Sequence, residues 1–379
     1  MKIHETIIIG AGISGLACAH TLSQANKKFK IISENIGGRI VESSEDHVEY
    51  GAFYVMKGYS HILPFIKLGR RIELGKFKFH KGHNTYKLFT PRSLPYIPQL
   101  VRSLLLLKKF KKHYRKFKKN SMFMSQVEAL QSDPFLFKLY KQKATQLIKE
   151  YNIKEITYDY YAECLHGTTF TDIKNINAFS FLHFTLPTIV PCYEFIFEKN
   201  KMTNKFKKNI IKESVKSLTK KNKLHCIKTK TKSYLAKNIV VATPPHISQK
   251  LLKMKKCRGP VSAHMFHIKG TIKKEWDYCE ENFFADNNRM LAIAHQPNDT
   301  YLFYSRGKNP KFDEYFTKYK IIKHKFWNPA FNIEGNVLWD SNHAKNLYLI
   351  GDHNVCGLED SFITGVYAAN QIIKKNSKL

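Results

Sequence analysis

The feature that most constrains this chain lies within its first forty residues. Glu5-Thr6-Ile7-Ile8-Ile9 is a short β-branched run suited to a fully buried parallel strand. It leads straight into Gly10-Ala11-Gly12-Ile13-Ser14-Gly15. This is G-x-G-x-x-G in the context that gives it meaning: Gly10 permits a tight turn, Gly12 lets backbone approach a pyrophosphate, and Gly15 lets the following helix pack closely on the sheet. That helix is expected from Ser14 to about Gln24, its free N–H groups and positive dipole end turned to phosphates. A second strand, Phe29 to Ser33, ends at Glu34, 19 residues beyond Gly15, where a carboxylate can accept hydrogen bonds from both ribose hydroxyls. A dinucleotide site at the N-terminus follows.

The next residues narrow the dinucleotide. Gly37-Gly38-Arg39 follows the ribose acid at once. Two glycines let backbone pass under a pyrophosphate, and the arginine sets a guanidinium against its charges. Here the sequence resembles the flavin-containing amine oxidase superfamily, which includes monoamine and polyamine oxidases, protoporphyrinogen oxidase and carotenoid desaturases. Three further stretches are similar to that family: Glu49-Tyr50-Gly51-Ala52, the strand and turn from Asn238 to Pro245, and Asn346 to Asp352 continued by Gly357 to Gly365, in which Thr364 replaces a serine. The resemblance implies noncovalent FAD held by Gly10, Gly12, Ser14, Gly15, Glu34, Gly38, Arg39, Gly51, Ala52, Asp352, Leu358 and Glu359. Val215 stands where the family's backbone meets adenine. Asp352 can bond ribityl hydroxyls, and a helix starting near Glu359 would direct its N-terminus at the flavin pyrimidine.

These landmarks predict an α/β protein, a Rossmann-type FAD-binding domain with a discontinuous α+β substrate domain. The first comprises residues 1–70, 196–246 and 335–379, the second 71–195 and 247–334. Aromatic-rich strands are expected at Met265 to Ile272 and Tyr301 to Ser305.

Two departures from the family concern the chemistry. Amine oxidases of this kind typically keep a lysine near flavin N5 on the strand after the segment that Val241-Ala242-Thr243-Pro244-Pro245 resembles, and here His264 is the residue to examine. Gly357 falls where a cage aromatic should stand. Trp327, in Phe326-Trp327-Asn328-Pro329, matches a tryptophan near the flavin, so His264 and Trp327 are the candidate catalytic-pocket residues. The leading expectation is an FAD-dependent oxidoreductase abstracting a hydride from a largely apolar substrate, either an amine or a C–C bond to be desaturated. The alternatives are a non-redox flavoenzyme of the sugar-mutase type and a noncatalytic FAD-binding scaffold.

Composition bounds the rest. Hydrophobic residues make up 43% and aromatics 13%, which suits a globule with sizeable apolar cavities. The seven cysteines (Cys18, Cys164, Cys192, Cys226, Cys257, Cys279 and Cys356) include no C-x-x-C pair or metal-like spacing, so no metal site and a reducing, cytoplasmic location are expected. The glycine loop follows Met1 so closely that no leader is expected, and no apolar run approaches a membrane span. The net charge of +33 is spread over the whole chain without a nucleic-acid motif, so it reads as composition and no nucleic-acid partner is expected. One segment stands apart. In residues 94–119, Leu100, Leu104, Leu107, Phe110, Tyr114 and Phe117 recur at helical spacing among nine Lys/Arg from Arg102 to Lys119. Such a helix either lies on an anionic membrane surface as a peripheral contact or turns its apolar stripe inward and its lysines to water.

Overall fold

The computed structural model describes residues 2–43, 48–52, 54–88, 90–277, 280–284 and 289–376; Cys279 lies outside them. Its organising layer is a seven-stranded sheet in the order Ile210–Ile211, Lys30–Gly37, Ile3–Gly12, Ser233–Val241, Leu224–Thr229, Val215–Lys221. Leu347–Leu349 pairs in parallel with the C-terminal part of Ser233–Val241. The isoleucine run is covered on both faces, as a parallel strand demands. Ile8 packs with Leu16, Ala17 and Leu22 of the helix Ile13–Gln24, while Ile7 and Ile9 pack with Ile239, Val241, Met254 and Leu349 on the other side. The second strand runs beyond the expected Ser33 to Gly37. A register shift after Ile9 brings Gly12 opposite Gly37, and the strand pair is prolonged where glycines let the backbones close up.

A second seven-stranded sheet runs Phe316–Glu334, Gly259–Ile272, Thr300–Ser305, Met290–His295, Glu281–Phe284, Phe77–Lys81, Asn84–Lys87. Its pairs are antiparallel except Phe77–Lys81 with Glu281–Phe284. Helices including Ile97–Asn120, Pro134–Lys141, Ala162–Thr169 and Ala178–Thr185 complete this half. A third, three-stranded sheet runs Tyr54–Met56, Cys192–Phe197, Ile66–Ile72. Residues 70 and 195, where boundaries are expected, lie within two of its strands.

The basic segment is helical over Ile97–Asn120, and its buried residues are Ser103, Leu106, Leu107, Phe110, Tyr114 and Phe117. The apolar stripe singled out in the sequence therefore faces the core, with Leu104 half-buried. Among the described residues no helix is long and apolar enough to cross a membrane.

Candidate functional site

A cavity of about 540 Å³ opens where the parallel strands end at their C-terminal edge, the usual ligand position in an open α/β sheet. At one end it is lined by Gly10, Gly12, Ser14, Glu34, Gly38, Arg39, Val215 and Asp352, and it continues past Gly51, Ala52 and Leu358. Thus most of the expected cofactor residues come together, from segments more than three hundred residues apart.

The glycines there are not equivalent. Gly10 has φ +105°, and a Cβ on it would lie 2.6 Å from the Ala242 carbonyl oxygen, so the turn itself requires glycine. Gly15 abuts the Gly10 carbonyl at the start of the helix and does not line this cavity; it acts through packing. Gly12 is different: its φ is −72°, open to any residue, and a Cβ would find no protein atom closer than Gly38 Cα at 3.9 Å. No side chain caps the helix it begins. The space that a side chain would occupy at Gly12 is cavity, and the free helix N–H groups face it. This is the arrangement a bound pyrophosphate needs.

Arg39 and Asp352, expected to contact the pyrophosphate and the ribityl chain separately, meet each other: Nη2 lies 2.7 Å from Oδ2. Arg39 Nη1 also donates to the Ala330 carbonyl at 2.9 Å. Burial, the largest single influence, would raise the Asp352 carboxyl, but the Arg39 guanidinium, His353 and a backbone hydrogen bond together hold the group below the ordinary carboxylate range. The pair ties the second glycine turn to the C-terminal strand and leaves little net charge of its own.

Glu359 departs from its expected role. It is fully buried and its carboxylate accepts the backbone N–H groups of Ser60 at 2.7 Å, His61 at 3.1 Å and Ile62 at 3.2 Å, so it anchors that loop and does not line the cavity. Thr364 takes over the work expected of a serine. Its hydroxyl accepts from Gly351 N–H at 2.9 Å and donates to the Ser361 carbonyl at 2.7 Å, joining the turn after the C-terminal strand to the helix Leu358–Asn376.

The other end of the cavity is aromatic: Tyr50, Tyr54, Tyr59, Phe170, Phe184, Tyr304, Trp327 and Phe331 line it. Phe170 links Tyr304 and Phe331 at centroid distances of 5.5 and 5.9 Å, and Phe184 continues the cluster from Phe331 at 6.4 Å. Trp327 stands as expected at this end, its indole N–H donating to the Tyr50 carbonyl at 3.0 Å. His264 does not. It stacks on Phe326 at 4.3 Å and meets His324 at 2.9 Å, outside the lining, because its neighbour Ala263 is the residue paired with Trp327 and side chains alternate along a strand. The cation beside Trp327 is Lys325, whose Nζ lies 3.8 Å from the ring centroid and whose pKa is lowered, first by burial and then by Lys323.

The structure also accounts for Gly357. A Cβ there would collide with the Asp360 carboxylate and lie 3.1 Å from His183 Cε1. His183 occupies this wall of the cavity, and the Tyr114 hydroxyl joins it at 3.1 Å to Asp360 at 2.6–2.8 Å. Burial first, then Lys118 and Arg258, push His183 down to about 3, so it is a neutral imidazole at physiological pH. Cys356 also borders the cavity, its thiol hydrogen-bonded to the Asn332 carbonyl at 3.3 Å and raised by burial to about 12. No motif in the sequence marks His183, Phe170, Phe184, Tyr304 or Phe331, all of which lie outside the recognised stretches.

A nucleotide-binding sheet joined to an antiparallel sheet across one shared cavity defines a two-lobed dinucleotide fold. Residues 8–67 match the family of NAD(P)-binding Rossmann-like domains. No curated protein matches the sequence. Among solved structures, the whole chain is similar to putrescine oxidase bound to putrescine, with a TM-score of 0.69 at 13% identity over 98% of this chain and 99% of that one. It is similar also to cyclohexylamine oxidase from Brevibacterium oxydans IH-35A, with a TM-score of 0.68 at 14% identity over 99% and 100%. A fatty acid isomerase from P. acnes gives 0.67 at 12% identity over 98% of each chain. The chain shares the fold of these three proteins.

Proposed function

We propose that the protein is an FAD-dependent oxidoreductase of the amine oxidase and desaturase type acting on an apolar substrate that carries no positive charge where it reacts. The observation that carries this reading is the continuity of one cavity from the Gly12 helix terminus to the Tyr304–Phe170–Phe331–Phe184 cluster. FAD in such a site supplies hydride acceptance, and the chain supplies position and environment. Glu34, Gly12, Ser14 and Val215 would hold the adenosine and pyrophosphate, while Gly51, Ala52 and Leu358 would border the ring. Trp327 and the aromatic cluster would exclude water and pack on substrate.

Among the described residues the aromatic lining contains no carboxylate: the acids bordering the cavity are Glu34, Glu213 and Asp352, and the last is neutralised by Arg39. A cationic amine would thus be desolvated there without a partner, which is strongly unfavourable. His183 presents a neutral, polar ring edge suited to a hydrogen bond. Cys356, a neutral buried thiol bonded to carbonyls, is a poor nucleophile, which supports noncovalent attachment of FAD. The fold's neighbours, named for amine oxidation and fatty acid isomerisation, do not select the reaction.

Purified protein should be yellow, and acid precipitation should leave FAD in the supernatant. Anaerobic mixing with neutral apolar substrates should bleach the flavin, whereas putrescine should not. A colourless protein that takes up no FAD would overturn the reading, and bleaching by amines alone would overturn the substrate class.

A further inference from the structure

The helix Ile97–Asn120 buries one apolar stripe and leaves another in water. Leu94, just before it, is 61% exposed, and Ile97, Val101 and Leu105 are 49%, 50% and 61% exposed. Exposure is informative here because these are large aliphatic side chains in one row and not scattered singly. The same row continues as Lys108, Lys112, Arg115 and Lys119, all exposed. Successive spacings of three or four residues keep Ile97, Val101, Leu105, Lys108, Lys112, Arg115 and Lys119 on one face, opposite the buried Leu106, Phe110 and Phe117. The outer face is therefore aliphatic along its first half and cationic along its second, over a rod of about 36 Å. Among the described residues none of Lys108, Lys112, Arg115 and Lys119 is in an ion pair, and no acidic residue occurs between Glu73 and Glu128.

We infer that this outer face docks on an anionic lipid surface, with Leu94, Ile97, Val101 and Leu105 entering the acyl boundary and the basic half resting on headgroups. Charge selects the occupant. A second copy of the chain would bring the same unrelieved cations against themselves. A nucleic acid would meet the cations but leave the aliphatic half in water. Lipid answers both halves in their order along the helix. The inner face meanwhile remains attached to the candidate site: Tyr114 bonds His183, and Lys118 donates to the Gly58 carbonyl and lies over the Tyr59 ring. The docking face is thus backed directly by a wall of the cavity that would receive an apolar substrate.

The test uses the full-length protein with phosphatidylcholine vesicles, with and without phosphatidylserine. The wild type should co-sediment only with the anionic vesicles and should be released by high salt. Lys108→Gln, Lys112→Gln and Arg115→Gln should each weaken binding about fivefold. Val101→Glu combined with Leu105→Glu should abolish it while the melting temperature stays near the wild-type value, since both side chains are in water. Leu105→Trp should show fluorescence quenched by brominated lipid, a readout of insertion that is independent of the glutamate variant's folding. Equal vesicle binding by wild type and the double glutamate variant would overturn the proposal. So would bound Leu105→Trp without quenching, or polyuridylate binding stronger than vesicle binding and indifferent to the glutamates, which would assign the face to nucleic acid.

Discussion

At the scale of single residues, the sharpest distinction is between a glycine that the fold needs and one that a ligand needs. Gly10 has a positive φ and a carbonyl against it, whereas Gly12 has ordinary backbone angles and no close protein neighbour. Gly12→Val should therefore leave the apoprotein within about 0.5 kcal/mol of wild-type stability, as an unstrained substitution does, yet eliminate saturable FAD binding. A flavin titration beside a urea melt reads both, and an unstable apoprotein would show that Gly12 serves the fold. Glu34, exposed at the cavity rim, makes a smaller contribution. Glu34→Ala should weaken FAD binding by more than about tenfold, the effect of losing hydrogen bonds to a charged group, and near-wild-type affinity would place the ribose elsewhere. Gly357→Ala should destabilise by about 1–3 kcal/mol, because its methyl must displace Asp360 and His183.

At the scale of elements, the nucleotide end depends on how closely the helices Ile13–Gln24 and Leu358–Asn376 approach. Gly365 is the contact that permits it: a Cβ there would overlap the Ser14 carbonyl and come within 2.9 Å of Ala17 Cβ and Cys18 N. Gly365→Leu must push the helices apart. Denaturant unfolding should show a loss of about 3 kcal/mol or more, at the upper end for overpacking, and FAD binding should weaken with it because Ser14 and Leu358 both border the cavity. Retention of both properties would mean that the helices cross at another point. Helix Ile97–Asn120 is held on its inner face by the same kind of packing, so Leu107→Glu, at a position 1% exposed, should unfold the surrounding lobe where Leu105→Glu does not.

At the scale of the whole molecule, an excess of lysine does not prevent acids from being trapped inside. Glu281 lies buried at the start of an inner strand, and desolvation first, then Glu280 and Glu194, push its carboxyl up to about 8. Its native-state value lies above the unfolded one, so folding is favoured by its bound proton at low pH and that contribution is lost as pH rises toward 8. Relative to Glu281→Gln, the wild type should lose stability across roughly pH 5 to 8 at up to about 1.4 kcal/mol per pH unit. Parallel melts of the two proteins across that range check it, and a constant difference would mean that Glu281 does not change protonation on folding.

The nucleotide end of the cavity was legible in the sequence because its parts are local. The isoleucine run, the glycine turn and Glu34 lie within thirty residues, and backbone geometry fixes what each glycine can do. Asp352 and Thr364 are likewise announced by a strand, a turn and a helix in immediate succession. Tertiary structure alone decided the aromatic end, since Phe184, Tyr304 and Phe331 converge from three elements with Phe170 from the end of a helix, and no spacing in the chain marks them. It also decided between side chains that the sequence left equivalent. Strand register turned Trp327 to the cavity and kept His264 out of it, and a glutamate expected beside the ligand went to three backbone N–H groups instead. The helix Ile97–Asn120 shows the same division. Its periodicity predicts a helix with one apolar stripe, but whether that stripe turns to the core or to a membrane depends on the helices packed against it, because burial is a property of neighbours and not of spacing.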